Sequence, residues 1–190
     1  KGGFPILGED NNPTALCIIM EYIEGHTLRN VMEKGTSMPL ERVVKWFIQL
    51  LEALNEMHTL KIVHRDIKPA NIILRKENDG YHPIIVDLGV WSEINKTIRT
   101  CAGTLPYFAP EYWNQQGRVN NSKVDIWALG CVLYEVLTAD MGFVKHSAGM
   151  AGHLLNNPEL LETQIHDQSL RAILRMMFQD DPHNRPSAKE

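Results

Sequence analysis

A charged stretch, HRDIKPAN, interrupts apolar sequence at residues 64–71. It places Asp66, Lys68 and Asn71 close together along the chain, and Asp87 follows in VDLG after the next apolar run. Carboxylate and amide oxygens are the ligands that Mg²⁺ prefers, and a lysine can neutralise the charge of a phosphate. These residue types on neighbouring loops therefore favour phosphoryl transfer. Simple turn and capping roles for the two aspartates are the alternative.

The apolar pattern predicts short strands beside this stretch. Residues 62–63 and 71–74 are strand-like, and the apolar run 83–86 follows a turn-forming ENDG at residues 77–80. A further run of strand length spans residues 15–20. These flanking strands are expected to hold the charged residues in place.

Helical spacing marks much of the remaining chain. A brief helix is predicted over residues 27–33, and longer helices are predicted over residues 39–60, 124–137 and 170–177. The helix at residues 39–60 is predicted to be largely buried, through apolar residues at three- and four-residue steps. These residues are Val44, Phe47, Ile48, Leu51 and Leu54.

The composition suits one compact domain. The 190 residues have a net charge of −4 at pH 7, and 44% of them are hydrophobic. This balance disfavours nucleic acid or a membrane as a partner. Cys17, Cys101 and Cys131 lack CxxC spacing and are interpreted as reduced thiols of an intracellular protein, cytoplasmic or nuclear. No apolar run reaches the ~20 residues of a membrane-spanning helix.

The order of the motifs resembles the eukaryotic protein kinase family, Ser/Thr type, over residues 16–188. The motifs are IIMEY, HRDIKPAN, DLG, GTLPYFAPE, DIWALGCVLYE and DPHNRPSA. The resemblance implies an α+β, protein-kinase-like fold with a mainly α-helical C-terminal lobe, short β-hairpins and only the end of the small β lobe. Residues 1–20 would be the small-lobe remnant, residues 21–27 the hinge connector, and residues 28–190 the large lobe, truncated at its C-terminal end.

By this resemblance, the charged stretch and DLG form the substrate and metal side of a kinase active site. Asp66 would accept or orient the proton of the substrate hydroxyl, and Lys68 would neutralise the transferring γ-phosphoryl group of ATP. Asn71 and Asp87 would hold Mg²⁺. Leu88 stands where the family more commonly has phenylalanine, and we expect the site to tolerate this change.

The family also implies adenine contacts. The backbone of Glu21 and Ile23 in the connector would meet the adenine edge. Met20 would lie behind the adenine ring, and Ile73 would lie beneath it.

Regulation is expected through the segment between DLG and APE. Arg65 would dock a phosphate on that segment, with Thr100 as the first candidate acceptor and Thr97 as the next. An ordinary loop threonine is an equally good interpretation of Thr100. Thr104 would contact the catalytic aspartate and lysine.

Four further residues would have structural roles. Glu111 and Arg185 would form a buried ion pair that ties this segment to the helical lobe. Asp125 would support the backbone of the catalytic loop. His64 would pack in the core rather than act in catalysis.

The resemblance implies a serine/threonine protein kinase that phosphorylates Ser/Thr hydroxyls of a protein substrate. Ala70 and Thr27 stand where arginine-directed relatives have acidic residues, although Glu135 keeps one, so no strong arginine requirement is expected. An inactive kinase-like scaffold that binds partners and a small-molecule phosphotransferase of the same fold are the alternatives. The phosphotransferase is not expected to combine APE, the DIWALG helix and Arg185.

Residues 1–190 contain no GxGxxG loop and no VAIK-like strand lysine. In the family, these groups position the phosphates. We therefore expect that activity needs a small lobe or upstream segment, and that residues 1–190 alone have little or no turnover.

Overall fold

The computed structural model describes residues 3–7, 13–35, 38–95, 103–112, 121–140, 142–145 and 149–190. Within them the helices are α1 (Leu28–Glu33), α2 (Leu40–Thr59), α3 (Lys123–Thr138), α4 (Gly149–Asn156), α5 (Leu160–Gln164) and α6 (Gln168–Met177). The strands are β1 (Gly3–Leu7), β2 (Pro13–Ile18), β3 (Gly25–Thr27), β4 (Ile62–Val63), β5 (Ile72–Glu77), β6 (Gly80–Ile85) and β7 (Ser92–Glu93). The predicted α+β class is confirmed. Among the described residues, no helix combines the length and the apolar character needed to cross a membrane.

The described strands form three small antiparallel sheets. β1 pairs with β2, β4 pairs with β7, and β5 lies between β3 and β6. The β5–β6 pair is the hairpin that ENDG predicted, with Glu77 opposite Gly80. Gly80 has a φ of 134°, which favours glycine at this position. β2 begins and ends two residues earlier than predicted.

The hairpin brings two candidate metal ligands together. β5 begins immediately after Asn71, and β6 ends two residues before Asp87. The Val86 amide donates to the Asn71 carbonyl at 2.9 Å, which continues the pairing beyond the two strands. The residues at the open end of the hairpin are therefore neighbours in space.

The buried face of α2 differs from the predicted one. Leu54 is fully buried, but Val44 is 37% exposed and Ile48 is 52% exposed, so the prediction for these two residues was wrong. The residues that α2 buries are Val43, Trp46, Phe47, Leu50 and Leu54. Apolar side chains lie on both flanks of the helix, so spacing alone did not select the face. The Trp46 indole donates to the Tyr81 carbonyl of β6 at 2.7 Å, and this contact helps to fix the rotation of α2.

α3 lies at the centre of the core. Every residue from Val124 to Glu135 is buried, as expected of a helix with apolar side chains on all faces. A Cβ at Gly130 would lie 3.0 Å from the Phe178 ring, so glycine permits the close approach of the chain at the end of α6. Asp125 and Glu135 are the charged residues of this buried run, and both contact residues far away in the sequence.

Alanine substitutions in α2 test which face is buried. Leu54→Ala removes a fully buried side chain, and we expect the free energy of unfolding to fall by about 2–5 kcal/mol. Ile48→Ala is the matched control because the Ile48 side chain is half exposed, and its effect should stay within about 0.5 kcal/mol. Urea unfolding measures both. A larger loss at Ile48 would contradict the observed face.

Candidate active site

The side chains of the charged stretch form one connected hydrogen-bond network. Lys68 Nζ donates to Asp66 Oδ2 at 2.7 Å and to Thr104 Oγ1 at 2.8 Å. The Thr104 hydroxyl donates in turn to Asp66 Oδ1 at 2.6 Å. Asn71 Nδ2 donates to Asp66 Oδ2 at 3.0 Å and to the Asp66 carbonyl at 2.9 Å. Both oxygens of the Asp66 carboxylate are therefore held by side chains from two separate loops.

This network is only partly buried. The side chain of Asp66 is 11% exposed and that of Lys68 is 24% exposed. Partial burial strengthens the charge-assisted bond between them relative to a surface pair, because less water screens the two charges. The groups are held in position but remain within reach of a substrate.

The buried carboxylate of Asp125 holds the backbone at the start of the charged stretch. Its Oδ2 accepts from the His64 amide at 2.9 Å, and its Oδ1 accepts from the Arg65 amide at 2.8 Å. Arg65 has a φ of 73°, a left-handed conformation that costs a non-glycine residue about 1–3 kcal/mol. The two charge-assisted bonds offset this cost, and they stabilise the turn that presents Asp66.

Two histidines complete this support. His58 Nε2 lies 2.9 Å from Asp125 Oδ2, a contact across 67 residues that spacing could not predict. The buried His64 ring links two loops, with Nε2 at 3.0 Å from the Val86 carbonyl and Nδ1 at 3.2 Å from the Asp66 amide. A carbonyl only accepts and an amide N–H only donates, so the His64 ring is neutral with its proton on Nε2. His64 therefore positions the loop.

Asn71 and Asp87 present the oxygen ligands that Mg²⁺ prefers. The Asn71 nitrogen is the donor in both bonds to Asp66, so the amide oxygen is the atom that Asn71 would offer to a metal. Asp87 is exposed, and its Oδ1 accepts from the Gly89 amide at 3.0 Å. The bond from Val86 to Asn71 keeps the two ligand residues on adjacent backbone segments. These residues fit a magnesium ion.

The Arg65 side chain contacts both loops that flank the predicted phosphorylation segment. Its Nε donates to the Tyr112 hydroxyl at 3.4 Å, and its Nη1 donates to the Val90 carbonyl at 3.3 Å. Burial raises the pKa of Tyr112 to about 12, so the phenol is neutral when it accepts this bond. Thr97 and Thr100 lie outside the described residues. Phosphate docking by Arg65 therefore stays a prediction.

Arg185 and Glu111 form the ion pair that the family resemblance implied. Arg185 Nη1 and Nη2 donate to the two carboxylate oxygens of Glu111 at 2.9 and 3.0 Å. Arg185 also donates to the carbonyls of Lys123 and Gln179, each at 2.8 Å, and its guanidinium lies 5.1 Å from the Trp127 ring centroid. The pair joins the end of APE to the start of α3 and to the chain that follows α6.

A second ion pair, in which only the carboxylate is fully buried, was not predicted. Arg29 Nη1 of α1 lies 2.5 Å from Glu135 Oε1, and Arg29 Nη2 donates to the Tyr107 hydroxyl at 2.8 Å. The Tyr107 hydroxyl donates to Glu135 Oε2 at 2.9 Å. Burial raises the pKa of Tyr107, and the negative charge of Glu135 raises it further. A glutamate inside an apolar helix was the available signal, but its partner lies 106 residues away.

The predicted adenine residues are distributed over two elements. Met20 and Glu21 lie between β2 and β3 with exposed side chains, and Ile23 is partly buried. Ile73 lies on β5, where it pairs with Thr27 of β3. The sheet thus joins the end of the connector to the strand that carries Ile73, while the binding roles stay predictions.

Comparison with known proteins agrees with this geometry. The family model described as protein kinase domain matches residues 7–190. The chain belongs to the protein kinase domain family. The predicted kinase-like fold is thereby confirmed, because the match covers almost the whole chain.

The chain is similar to several serine/threonine-protein kinases. It is 35% identical to Nek1 of Mus musculus over 179 residues, covering 91% of this chain and 14% of the relative. It is also 35% identical to human Nek5 over 185 residues, covering 90% of this chain and 25% of the relative. It is 35% identical to cds1 of Schizosaccharomyces pombe over 192 residues, covering 94% of this chain and 41% of the relative. The chain therefore spans less than half the length of these three relatives.

Substitution of Arg185 tests the ion pair with Glu111. Arg185→Met leaves the Glu111 carboxylate and two backbone carbonyls without their donor, and we expect the free energy of unfolding to fall by about 3–5 kcal/mol. Arg175→Met is the matched control, because the pair of Arg175 with Glu162 is about half exposed, and such pairs contribute about 0–1 kcal/mol. Urea unfolding compares the two variants, and equal losses would argue against a special role for Arg185.

Proposed function

We propose that this chain is the catalytic region of a serine/threonine protein kinase, which transfers the γ-phosphoryl group of ATP to hydroxyl groups of proteins. The observation that carries the proposal is the network of Asp66, Lys68 and Thr104. A carboxylate and an ammonium group 2.7 Å apart suit an acceptor hydroxyl and a phosphoryl group in adjacent positions. The names of the three relatives support the same activity.

In this mechanism Asp66 orients the acceptor hydroxyl and takes its proton. The contact from the Thr104 hydroxyl to Asp66 Oδ1, at 2.6 Å, is of the kind that a general base makes with its substrate. Lys68 contacts the other carboxylate oxygen and stabilises the negative charge of the phosphoryl group during transfer. Mg²⁺, when bound, supplies further neutralisation of the phosphates. Asn71 and Asp87 would hold it through their side-chain oxygens.

For the adenine ring we propose backbone contacts from Glu21 and Ile23, with apolar contacts from Met20 and Ile73. The close approach of Gly25 to β5 supports this placement. A Cβ at Gly25 would lie 2.5 Å from the Leu74 carbonyl oxygen and 2.8 Å from the Ile73 side chain, so only glycine lets the connector meet the strand this closely. The apolar surface of Ile73 is thereby kept beside the end of the connector.

Removal of the Asp66 charge tests the catalytic role. Asp66→Asn keeps the shape of the side chain but removes the base, and we expect kcat to fall by about 10²–10⁴-fold. The measurement is phosphate transfer from labelled ATP to a protein substrate, catalysed by the natural chain that contains these residues. Asp180→Asn, at an exposed position, is the matched control and should retain the wild-type rate.

Two outcomes would contradict this assignment. An unchanged rate in Asp66→Asn would remove Asp66 from the mechanism. A natural chain that binds partners but transfers no phosphate would favour the kinase-like scaffold instead.

We further propose that the substrate site lacks a strong preference for arginine before the acceptor. Ala70 has no charge, and the Thr27 side chain is occupied as the N-terminal cap of α1. Glu135 is fully buried and is bound by Arg29 and Tyr107. A substrate arginine would have to displace Arg29 to reach this carboxylate.

A peptide array with arginine moved through the positions before the acceptor tests this preference. We expect rate differences no larger than about fivefold, the effect of an exposed charge pair. Arg29→Ala should increase the preference for arginine, because it leaves Glu135 without its native cation. Relative rates within the array do not depend on how much of each variant is folded. Strict selection for arginine by the wild type would contradict the proposal.

A further inference from the structure

Three side chains converge at the tip of the β5–β6 hairpin. His82 Nε2 lies 2.7 Å from Asp79 Oδ1 and 3.8 Å from Glu77 Oε2. The ligand atoms of these three residues all lie within 4.8 Å of one another. The cluster is at the opposite end of the hairpin from Asn71, about 20 Å along a six-residue strand.

These separations suit a tetrahedral metal ion. Nitrogen and oxygen ligands lie about 2.0–2.2 Å from zinc, which places them about 3.3–3.6 Å from one another. The observed 2.7 and 3.8 Å lie on either side of this range. Small torsional adjustments of the side chains would therefore bring all three ligand atoms to one ion.

The second oxygen of each carboxylate faces a cation. Arg75 Nε donates to Glu77 Oε1 at 2.8 Å, and Lys45 Nζ lies 3.9 Å from Asp79 Oδ2. Each carboxylate consequently presents its other oxygen to His82.

The other ring nitrogen of His82 meets Gln49 of α2. Gln49 Nε2 lies 3.1 Å from His82 Nδ1, and Gln49 Oε1 is buried with no hydrogen-bond partner among the described residues. Rotation of the amide by half a turn exchanges these two atoms, so that Oε1 accepts a proton from Nδ1. In this arrangement the ring proton would lie on Nδ1 once a metal replaces the proton on Nε2, and metal-bound histidines usually have such an acceptor on the other nitrogen.

We propose that Glu77, Asp79 and His82 form a site for a divalent first-row transition metal, with Zn²⁺ as the best match. An imidazole nitrogen suits Zn²⁺, whereas Mg²⁺ and Ca²⁺ prefer oxygen ligands. Three side chains supply three ligands, and water completes the tetrahedron. The site is independent of the proposed kinase activity because it uses none of the catalytic residues.

A metal at this position would cross-link the hairpin tip. It would join the end of β5, the turn and β6, and the His82 ring would extend the connection to Gln49 of α2. Because β5 and β6 lead directly to Asn71 and Asp87, the ion would stabilise the element that spaces those two residues.

Calorimetric titration of the natural chain with ZnCl₂ tests the site. We expect His82→Asn to weaken zinc binding by at least about tenfold, while His166→Asn, at an exposed histidine, retains the wild-type affinity. Gln49→Glu keeps all three ligands and supplies a permanent acceptor for Nδ1. We expect it to tighten zinc binding by about tenfold.

Nitrogen-15 NMR of the His82 ring provides a second measurement. Zinc on Nε2 should leave the ring proton on Nδ1, whereas without zinc the hydrogen bond to the Asp79 carboxylate, which can only accept, requires the proton on Nε2. Equal zinc affinity of the wild type and His82→Asn would overturn the proposal. An equal loss in His166→Asn, or displacement of zinc by Mg²⁺ at the concentrations of a kinase assay, would also overturn it.

Discussion

The interaction on which the candidate active site depends is the one between the Asp125 carboxylate and the backbone amides of His64 and Arg65. A fully buried carboxylate is costly unless its oxygens are hydrogen-bonded, and the amides of His64 and Arg65 meet that need. The same two bonds hold Arg65 in a left-handed conformation that it would not adopt alone. Asp66 is the next residue, so the direction of its side chain follows from this turn. The hydrogen-bond network of Asp66 therefore depends on the buried charge of Asp125, which holds the residues just before it.

α3 is apolar except at a few positions, and at each of these a polar group is bound by a residue from another segment. The helix can therefore support the site. Asp125 near its start holds the catalytic loop, and Glu135, about 15 Å further along the helix, holds α1 through Arg29. The carbonyl of Lys123 at its first residue receives Arg185. In a low-dielectric core each of these groups requires a partner. Because each buried polar group of the helix needs a hydrogen-bond partner, α3 fixes three distant segments relative to one another.

Apart from the long-range contacts that the family resemblance implied, the sequence predicted features whose determinants are local. The turn residues ENDG lie next to each other, so the hairpin followed directly. The motif residues Asp66 and Asn71 are close in sequence, and their contact could be anticipated. The sequence could not identify His58 as the side-chain partner of Asp125 or Arg29 as that of Glu135. These partners are 67 and 106 residues away along the chain, and the contacts depend on how the helices assemble. The face of α2 was misjudged for a related reason, since neighbouring elements selected one of two apolar flanks.

Burial distinguishes the carboxylates that position the chain from those that can do chemistry. Asp66 and Asp125 each accept three described hydrogen bonds at the carboxylate, so the number of bonds does not separate them. The partners of Asp125 include two backbone amides that cannot leave without unfolding the loop. Those of Asp66 are side chains in a partly exposed site, so these contacts can change while the backbone of the loop stays in place. A fixed backbone with side-chain contacts that can change suits the proposed role of Asp66 as a general base, which must bind and release an acceptor hydroxyl.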